Sequence, residues 1–434
     1  MDPKTEAFRI TGLNGEKKLS GEISVSGSKN NALPLLASSV LFAGPVSFSN
    51  VPDITDVDKM FELLRNAGAV VTREGDVVTV DPAGVAHGEI DVAVANKLRA
   101  SIILTGSLLG RTRRITFPSP GGCVIGKRPI DLFLEGYTKL GATVTENENI
   151  FTVSADKLSG MEFFFRLQSV TGTEALLMAS ALAHGTTTLK NVALEPEVTD
   201  LAEFLRDAGA SIEGVGTNTL TIHGTGGIPL KNNSKEPHRV IPDRIEAGSY
   251  LVLGALCAHD LTLKGCNPSH LELPIITLQE MGVPVEVRGT DVVISNNTKP
   301  NNAFLPASIR THEYPGFPTD LQSPYTVLCT QAEGESVIEE MIFEGRLAYT
   351  ADLVSMGADI TVAHPHKAVV KGPAKLSGRE LYTPDLRAGL AYIIAACVGK
   401  GVSLIHNIHY VDRGYENAEA KLRQIGVAIE RVSV

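Results

Sequence analysis

Apolar and polar positions along the 434-residue chain fall into a succession of helical and extended stretches that comes round six times. Six stretches are apolar on nearly every side: Ala32–Phe42, Ala100–Leu109, Ala175–Ala183, Gly248–Ala258, Tyr325–Thr330 and Ala388–Val398. A helix with no polar face is expected in the interior. A glycine and a β-rich phrase follow, as in Gly44-Pro-Val-Ser-Phe-Ser, Gly185-Thr-Thr-Thr-Leu-Lys and Gly401-Val-Ser-Leu-Ile-His. Next comes an amphipathic stretch such as Asp56–Asn66 or Thr199–Asp207, which predicts a helix with one buried face. Each amphipathic stretch ends at a glycine: Gly68, Gly141, Gly209, Gly282, Gly357 and Gly426, spaced 68–75 residues apart. Glycine suits a helix end because it adopts the left-handed conformation without a Cβ clash. After the first five glycines, two short alternating runs flank a polar turn, as in Val70–Thr72, Gly75-Asp76 and Val77–Val80, or Val285–Val287, Gly289-Thr290 and Val292–Ile294. These predict β-hairpins. After Gly426 only Ala428-Ile429-Glu430 and the last few residues remain.

A repeat of roughly 72 residues is too small to bury a comfortable core alone, whereas three around their apolar helices make a domain of ordinary size. The pattern therefore predicts an α/β fold of two pseudo-threefold domains, with buried helices inside and sheets outside. A solenoid scaffold without chemistry has shorter periods, roughly 20–50 residues.

Composition narrows the class. Hydrophobic residues make up 43% and charged residues 20%, a globular balance. The formal net charge of −10 argues against nucleic acid as a partner. No apolar run reaches the roughly 18 residues of a membrane span, and MDPKTEAFRI lacks the form of a signal peptide, so no membrane partner and a cytoplasmic location are expected. Five scattered cysteines, without a CxxC pair or zinc-ligand spacing, predict a reducing compartment and no metal site.

Polar residues crowd the starts of the apolar helices: Ser26-Gly-Ser-Lys-Asn-Asn31, Lys97-Leu-Arg99, Ser169-Val-Thr-Gly-Thr-Glu174, Asp243-Arg-Ile-Glu246, Thr319-Asp-Leu-Gln322 and Asp385-Leu-Arg387. Helix capping accounts for Ser, Thr and Asp. It does not account for Lys29, Arg99 and Arg387, because a cation at a helix N-terminus opposes the helix dipole unless something anionic offsets it. Arg128, Arg346 and Arg413 stand in loops, and arginine pairs with phosphate and carboxylate in bidentate fashion. The set predicts a phosphorylated substrate of at least two negative charges. The loop Pro118-Ser-Pro-Gly-Gly-Cys123-Val-Ile-Gly-Lys-Arg-Pro129 is long, and Lys127 and Arg128 would favour a Cys123 thiolate. A small residue tolerated in a loop is the other reading of Cys123.

Together these motifs resemble the enolpyruvyl transferases. They are Ser26-Gly-Ser-Lys-Asn30, Leu98-Arg-Ala-Ser101, Pro120-Gly-Gly-Cys-Val-Ile-Gly126, Arg128-Pro-Ile-Asp131, Pro242-Asp-Arg-Ile-Glu246, Phe317-Pro-Thr-Asp320, Asp385-Leu-Arg387 and Asp412-Arg-Gly-Tyr415. The Pro-Gly-Gly-Cys loop points to the branch that acts on a nucleotide sugar, since the enolpyruvylshikimate phosphate synthase branch lacks it. The resemblance implies two inside-out, barrel-like α/β domains of βαβαββ-type units. One would span 29–241 with the Cys123 loop as a mobile element, the other 1–28 plus 242–434, with the active site in the cleft between them. It implies transfer of the enolpyruvyl group of phosphoenolpyruvate to the 3′-hydroxyl of UDP-N-acetylglucosamine, the first committed step of peptidoglycan synthesis, with release of phosphate and no cofactor. The implied rivals are another nucleotide or sugar-phosphate acceptor, or a non-catalytic relative that binds nucleotide sugar.

By the same resemblance, Lys29, Arg128 and Arg413 would hold phosphoenolpyruvate, with Asn30 beside it and Arg99, Arg346 and Arg387 adding positive field. Asp320 would take the hydroxyl proton, and Cys123 would deliver a proton to the vinyl carbon. Arg99, Arg128, Pro129, Ile130, Asp131, Leu132, Ser169, Val170, Thr171, Asp320 and Ile342 would meet the nucleotide sugar, and Asp243 and Asp385 would shape the site. The chain departs from the family at Leu167-Gln168, where lysine is frequent, at Thr171-Gly172, where Gly-Ala is frequent, and at Phe133 and Arg346–Tyr349, where histidine is frequent.

Overall fold

A computed structural model describes residues 6–95, 98–119, 130–232, 234–296 and 304–434. The six apolar stretches are helices: α1 Lys29–Ser38, α2 Ser101–Thr112, α3 Val170–Ala181, α4 Arg244–Cys257, α5 Gln322–Cys329 and α6 Leu386–Val398. Their interiors are buried, as helices without a polar face must be. All six start at different residues from the apolar runs. Five start earlier, so Lys29, Thr171, Arg244, Gln322 and Arg387 belong to first helical turns rather than to the preceding loops. Apolar patterning misplaced these five starts because the first turn of each carries polar residues.

The chain divides into two compact units. Among the described residues, one comprises 27–119 and 130–241 (the 27–241 unit), and the other comprises 6–26 and the described residues of 242–434. Each has its own apolar core. In the 27–241 unit, α1, α2 and α3 are central. Helices α2 and α3 approach so closely that a Cβ on Gly106 would lie 2.1 Å from the Ala175 carbonyl oxygen. In the other unit α4, α5 and α6 pack on one another in the same way.

Three sheets surround the helices of each unit. The fifth repeat shows the βαβαββ plan most completely. Ser308–Arg310 leads into α5, Gly334–Glu339 returns parallel to it, Thr350–Ser355 forms the outer helix, and Asp359–His364 and Lys367–Gly372 form the hairpin. The inside-out α/β architecture expected from the repeat is therefore present. The six glycines that mark the repeat all have positive φ, between 86° and 111°. An L side chain is strained there, which explains why the repeat is punctuated by glycine.

Three repeats are completed by chain from elsewhere. Ala428–Ser433 looked like a hairpin lacking a partner, but the N-terminal strand Glu6–Thr11 lies between it and Val402–His406, antiparallel to both. Leu19–Ser24 supplies the leading strand beside Ala258–Lys264, and His238–Arg239 does so beside Val46–Ser49. In the second repeat the leading strand is reduced to one parallel bridge, Glu89 with Thr116. Among the described residues, no helix is long and apolar enough to cross a membrane.

Candidate active site

The starts of α4, α5 and α6 carry the densest polar arrangement of the 242–434 unit. Asp243 caps α4, accepting from the Ile245 and Glu246 amides at 2.8 and 3.0 Å. Asp385 caps α6, accepting from the Arg387 and Ala388 amides at 2.8 and 3.1 Å. These are the N-cap bonds expected of aspartate. Just before α5, the 3-10 turn Thr319–Leu321 presents Asp320. Arg346 Nη2 donates to Asp320 Oδ1 at 2.8 Å, and Arg387 donates to Oδ2 through Nη2 at 2.9 Å and Nε at 3.1 Å. The Asp320 side chain is 26% exposed, while those of Arg346 and Arg387 are 4% and 5% exposed. The carboxylate is thus presented outward and fixed from behind by two buried cations.

Arg387 Nη1 also donates to the Tyr415 hydroxyl at 3.1 Å, and the guanidinium lies 5.5 Å from that ring's centroid. Burial by itself would lower the Arg387 pKa. Asp320 first, then Tyr415 and Asp243, outweigh it and hold the pKa above the ordinary arginine value. The same burial raises the Tyr415 hydroxyl, an effect that Arg387 opposes. The sequence called for an anion to offset Arg387 at its helix start, and the structure supplies one from the protein, Asp320. Arg413 follows the short helix His409–Asp412, and Ile342 lies in the loop between Glu339 and Arg346.

In the 27–241 unit, Lys29 is the first residue of α1, and its Nζ lies 3.4 Å from Asp56 Oδ2. Asn30 is half-buried, whereas Asn31 is fully buried. Asn31 donates to Asp200 Oδ2 at 2.9 Å and accepts from the Ile241 amide at 3.1 Å. Ser169 caps α3 by accepting from the Gly172 amide at 3.1 Å, which places Val170 and Thr171 in the first turn. Ile130 is buried and precedes the helix Asp131–Lys139, so Asp131 and Leu132 lie in its first turn. An aspartate there suits the helix dipole. Arg99 is in the turn before α2. Cys123, Arg128 and Pro129 lie outside the described residues.

Glu174, one turn into α3, was not among the predicted site residues. It is buried, and among the described residues neither carboxyl oxygen has a hydrogen-bond partner. Burial, reinforced by Glu197 and Glu195, raises its pKa well above the usual carboxyl range. The polar run Ser169–Glu174 was its only signal in the sequence. The four described cysteines are buried. Burial pushes the Cys266, Cys329 and Cys397 thiols up to about 12 and raises Cys257 as well, so none suits thiolate chemistry. Among the described residues, no group of three or more His, Cys, Asp or Glu side chains could hold a metal ion.

With this geometry in place, likeness to known proteins decides the family. Residues 13–422 match the family model described as EPSP synthase (3-phosphoshikimate 1-carboxyvinyltransferase). The chain belongs to this family. Within it, a UDP-N-acetylglucosamine 1-carboxyvinyltransferase of Desulforapulum autotrophicum is 42% identical over 97% of this chain and 99% of its own length. One from Campylobacter lari is also 42% identical, over 97% and 98%. Among solved structures, the enolpyruvyl transferase NikO of Streptomyces tendae superposes with a TM-score of 0.88 at 26% identity, covering 99% of each chain. An EPSP synthase of Acinetobacter baumannii superposes with a TM-score of 0.71 at 17% identity over 99% of this chain, a likeness of fold. The enolpyruvyl transferase family read from the motifs is thus the family to which the chain belongs.

Proposed function

We propose that this family member transfers the enolpyruvyl group of phosphoenolpyruvate to the 3′-hydroxyl of UDP-N-acetylglucosamine and releases phosphate. The observation that carries this reading is the 42% identity, over nearly the full chain, to relatives named for the transfer to UDP-N-acetylglucosamine. The site geometry supports it. Asp320 is the described carboxylate that is both presented outward and oriented by two buried guanidinium groups, which suits a general base for the acceptor hydroxyl. Lys29 at the start of α1, with Arg128 and Arg413, would hold the phosphate and carboxylate of phosphoenolpyruvate, with Asn30 alongside. Fixed cations of this kind stabilise charge that develops during addition and elimination. Cys123 would protonate the vinyl carbon. Arg99, Ile130–Leu132, Ser169–Thr171 and Ile342 would contact the nucleotide sugar. The reading asks the 29–241 part and the remainder of the chain to serve one reaction, in the cytoplasm, at the first committed step of peptidoglycan synthesis.

The test is phosphate release from phosphoenolpyruvate, measured with UDP-N-acetylglucosamine, with other nucleotide sugars and sugar phosphates, and without acceptor. Release that depends on UDP-N-acetylglucosamine is expected. Release with a different acceptor alone would overturn the reading.

A further inference from the structure

A chain of hydrogen bonds runs behind Asp320 and ends on a carboxylate to which neither motif nor resemblance points. Glu340, at the end of the strand Gly334–Glu339, is 0% exposed. Its Oε1 accepts from the amides of Ile342 and Phe343 at 2.9 and 3.0 Å, and its Oε2 accepts from the Thr319 hydroxyl at 2.8 Å. The Thr319 oxygen in turn accepts from Arg346 Nη1 at 3.0 Å, and Arg346 Nη2 donates to Asp320 at 2.8 Å.

The direction of each bond is forced. Arginine has only donors and an ionised carboxylate only acceptors. Thr319 must therefore donate to Glu340 and accept from Arg346. Two backbone amides occupy the other Glu340 oxygen, so an amide side chain cannot replace the carboxylate. One orientation of glutamine sets its NH2 against two N–H donors. The other sets it against the Thr319 oxygen and leaves the threonine proton without its acceptor.

We propose that Glu340 is a positioning residue for the transfer reaction. Through Thr319 it fixes the guanidinium that orients Asp320, and through its other oxygen it fixes the loop that carries Ile342. The general base and one wall of the acceptor site then share a single buried anchor, and acceptor binding and proton removal depend on the same carboxylate. This rests on the function proposed above, in which Asp320 is the base and Ile342 meets the nucleotide sugar. The described charged and titratable groups around Glu340 include Arg346, reached through Thr319, His366, whose Nδ1 lies 2.7 Å from the Glu340 carbonyl oxygen, and Tyr349, whose hydroxyl burial raises and whose own bonds go to Gln322 and Thr326.

The test compares wild type with Glu340→Gln, Thr319→Val and the double variant, using acceptor-dependent phosphate release and thermal melting. Glu340→Gln is expected to lower kcat and to raise KM for UDP-N-acetylglucosamine, with a combined loss of about a hundredfold, the scale of a 1 Å misplacement. Thr319→Val, which removes the hydroxyl at nearly constant shape, should lower kcat with a smaller change in KM. Thr319→Ser should restore most of that loss. The double variant should lose less than the product of the two single losses, because both break one chain. The inference is overturned if wild type is active while both single variants hold kcat and KM within twofold, or if their losses simply multiply. If Glu340→Gln does not fold, Thr319→Val and its serine rescue decide the matter alone. A wild type inactive with UDP-N-acetylglucosamine would instead refute the function proposed above.

Discussion

The two units treat buried acids in opposite ways. In the 242–434 unit the acids around the helix starts are compensated. Asp320 has two arginines, Glu246 has Lys421 at 2.6 Å, and Glu340 has a hydroxyl and two amides. In the 27–241 unit, Glu174 faces other acids, Glu197 and Glu195, and the cation Lys29 stands 3.4 Å from Asp56, at the long end of an ion pair. Removing charge from water costs several kcal/mol per ion unless close partners replace the water. The first arrangement is organised before any ligand arrives. The second leaves a buried acid, Glu174, beside like charge.

Four experiments would break or sharpen that contrast, taken from the largest expected effect downward. Cys123→Ser should abolish time-dependent inactivation by a thiol-directed epoxide such as fosfomycin, since the described cysteines are buried with raised thiol pKa values. Inactivation at the wild-type rate would remove Cys123 from the mechanism. Asp320→Asn keeps the shape of the clamped side chain but not its basicity. Turnover should fall about a hundred- to ten-thousandfold, while calorimetry still detects UDP-N-acetylglucosamine binding. Undiminished turnover would show that the acid clamped by Arg346 and Arg387 is not the base.

Glu174→Gln tests the uncompensated side. The carboxyl pKa is raised in the fold, so between its unfolded value and its folded value the unfolded chain binds fewer protons than the native one. Stability therefore falls as pH rises through that window. Glutamine mimics the neutral acid, so the variant should melt a few degrees above wild type at pH 8, at roughly 2–4 °C per kcal/mol, and together with it at pH 4. Parallel melting curves at all pH values would mean that Glu174 is compensated after all. Tyr415→Phe is the mildest. It removes one acceptor from Arg387 but leaves the ring and Asp320 in place, so about 1–2 kcal/mol of stability and less than tenfold in kcat should be lost. A larger loss in kcat than Asp320→Asn would place the tyrosine, not the carboxylate, at the centre of the site.

Much of this molecule is legible in its amino-acid order because the repeat imposes local rules. A positive φ demands glycine at Gly68 and its five counterparts, and burial on all sides demands an apolar helix. The polar helix starts were legible for the same reason, since Arg387 is a cation where the helix dipole disfavours one, whereas Asp320 was singled out by the family resemblance. Their mutual pairing was not, because nothing local connects the start of α5 to the start of α6. Glu340 was hidden more completely. In Val337-Ile338-Glu339-Glu340-Met341-Ile342 it reads as the second of two acids at a strand end. Only the fold shows that Glu339 reaches the half-exposed Lys367 while Glu340 turns inward to Thr319. The helix starts were misplaced by a few residues because hydrophobicity marks where a helix is buried rather than where its backbone begins.

The strand Glu6–Thr11 gives the molecule an order in time. It is made before the 27–241 unit, whereas its two neighbours, Val402–His406 and Ala428–Ser433, are made after that unit, and its Arg9 pairs with Glu430, 421 residues away. The 27–241 unit lies wholly between these events and has all its strands once His238–Arg239 is synthesised. The nascent chain must therefore carry Ala7, Phe8 and Ile10, each 0% exposed in the fold, without their cover until Val402–His406 and Ala428–Ser433 have been made. Translation sets which half can be complete first, and it leaves an uncovered apolar strand that a folding helper could recognise in the meantime.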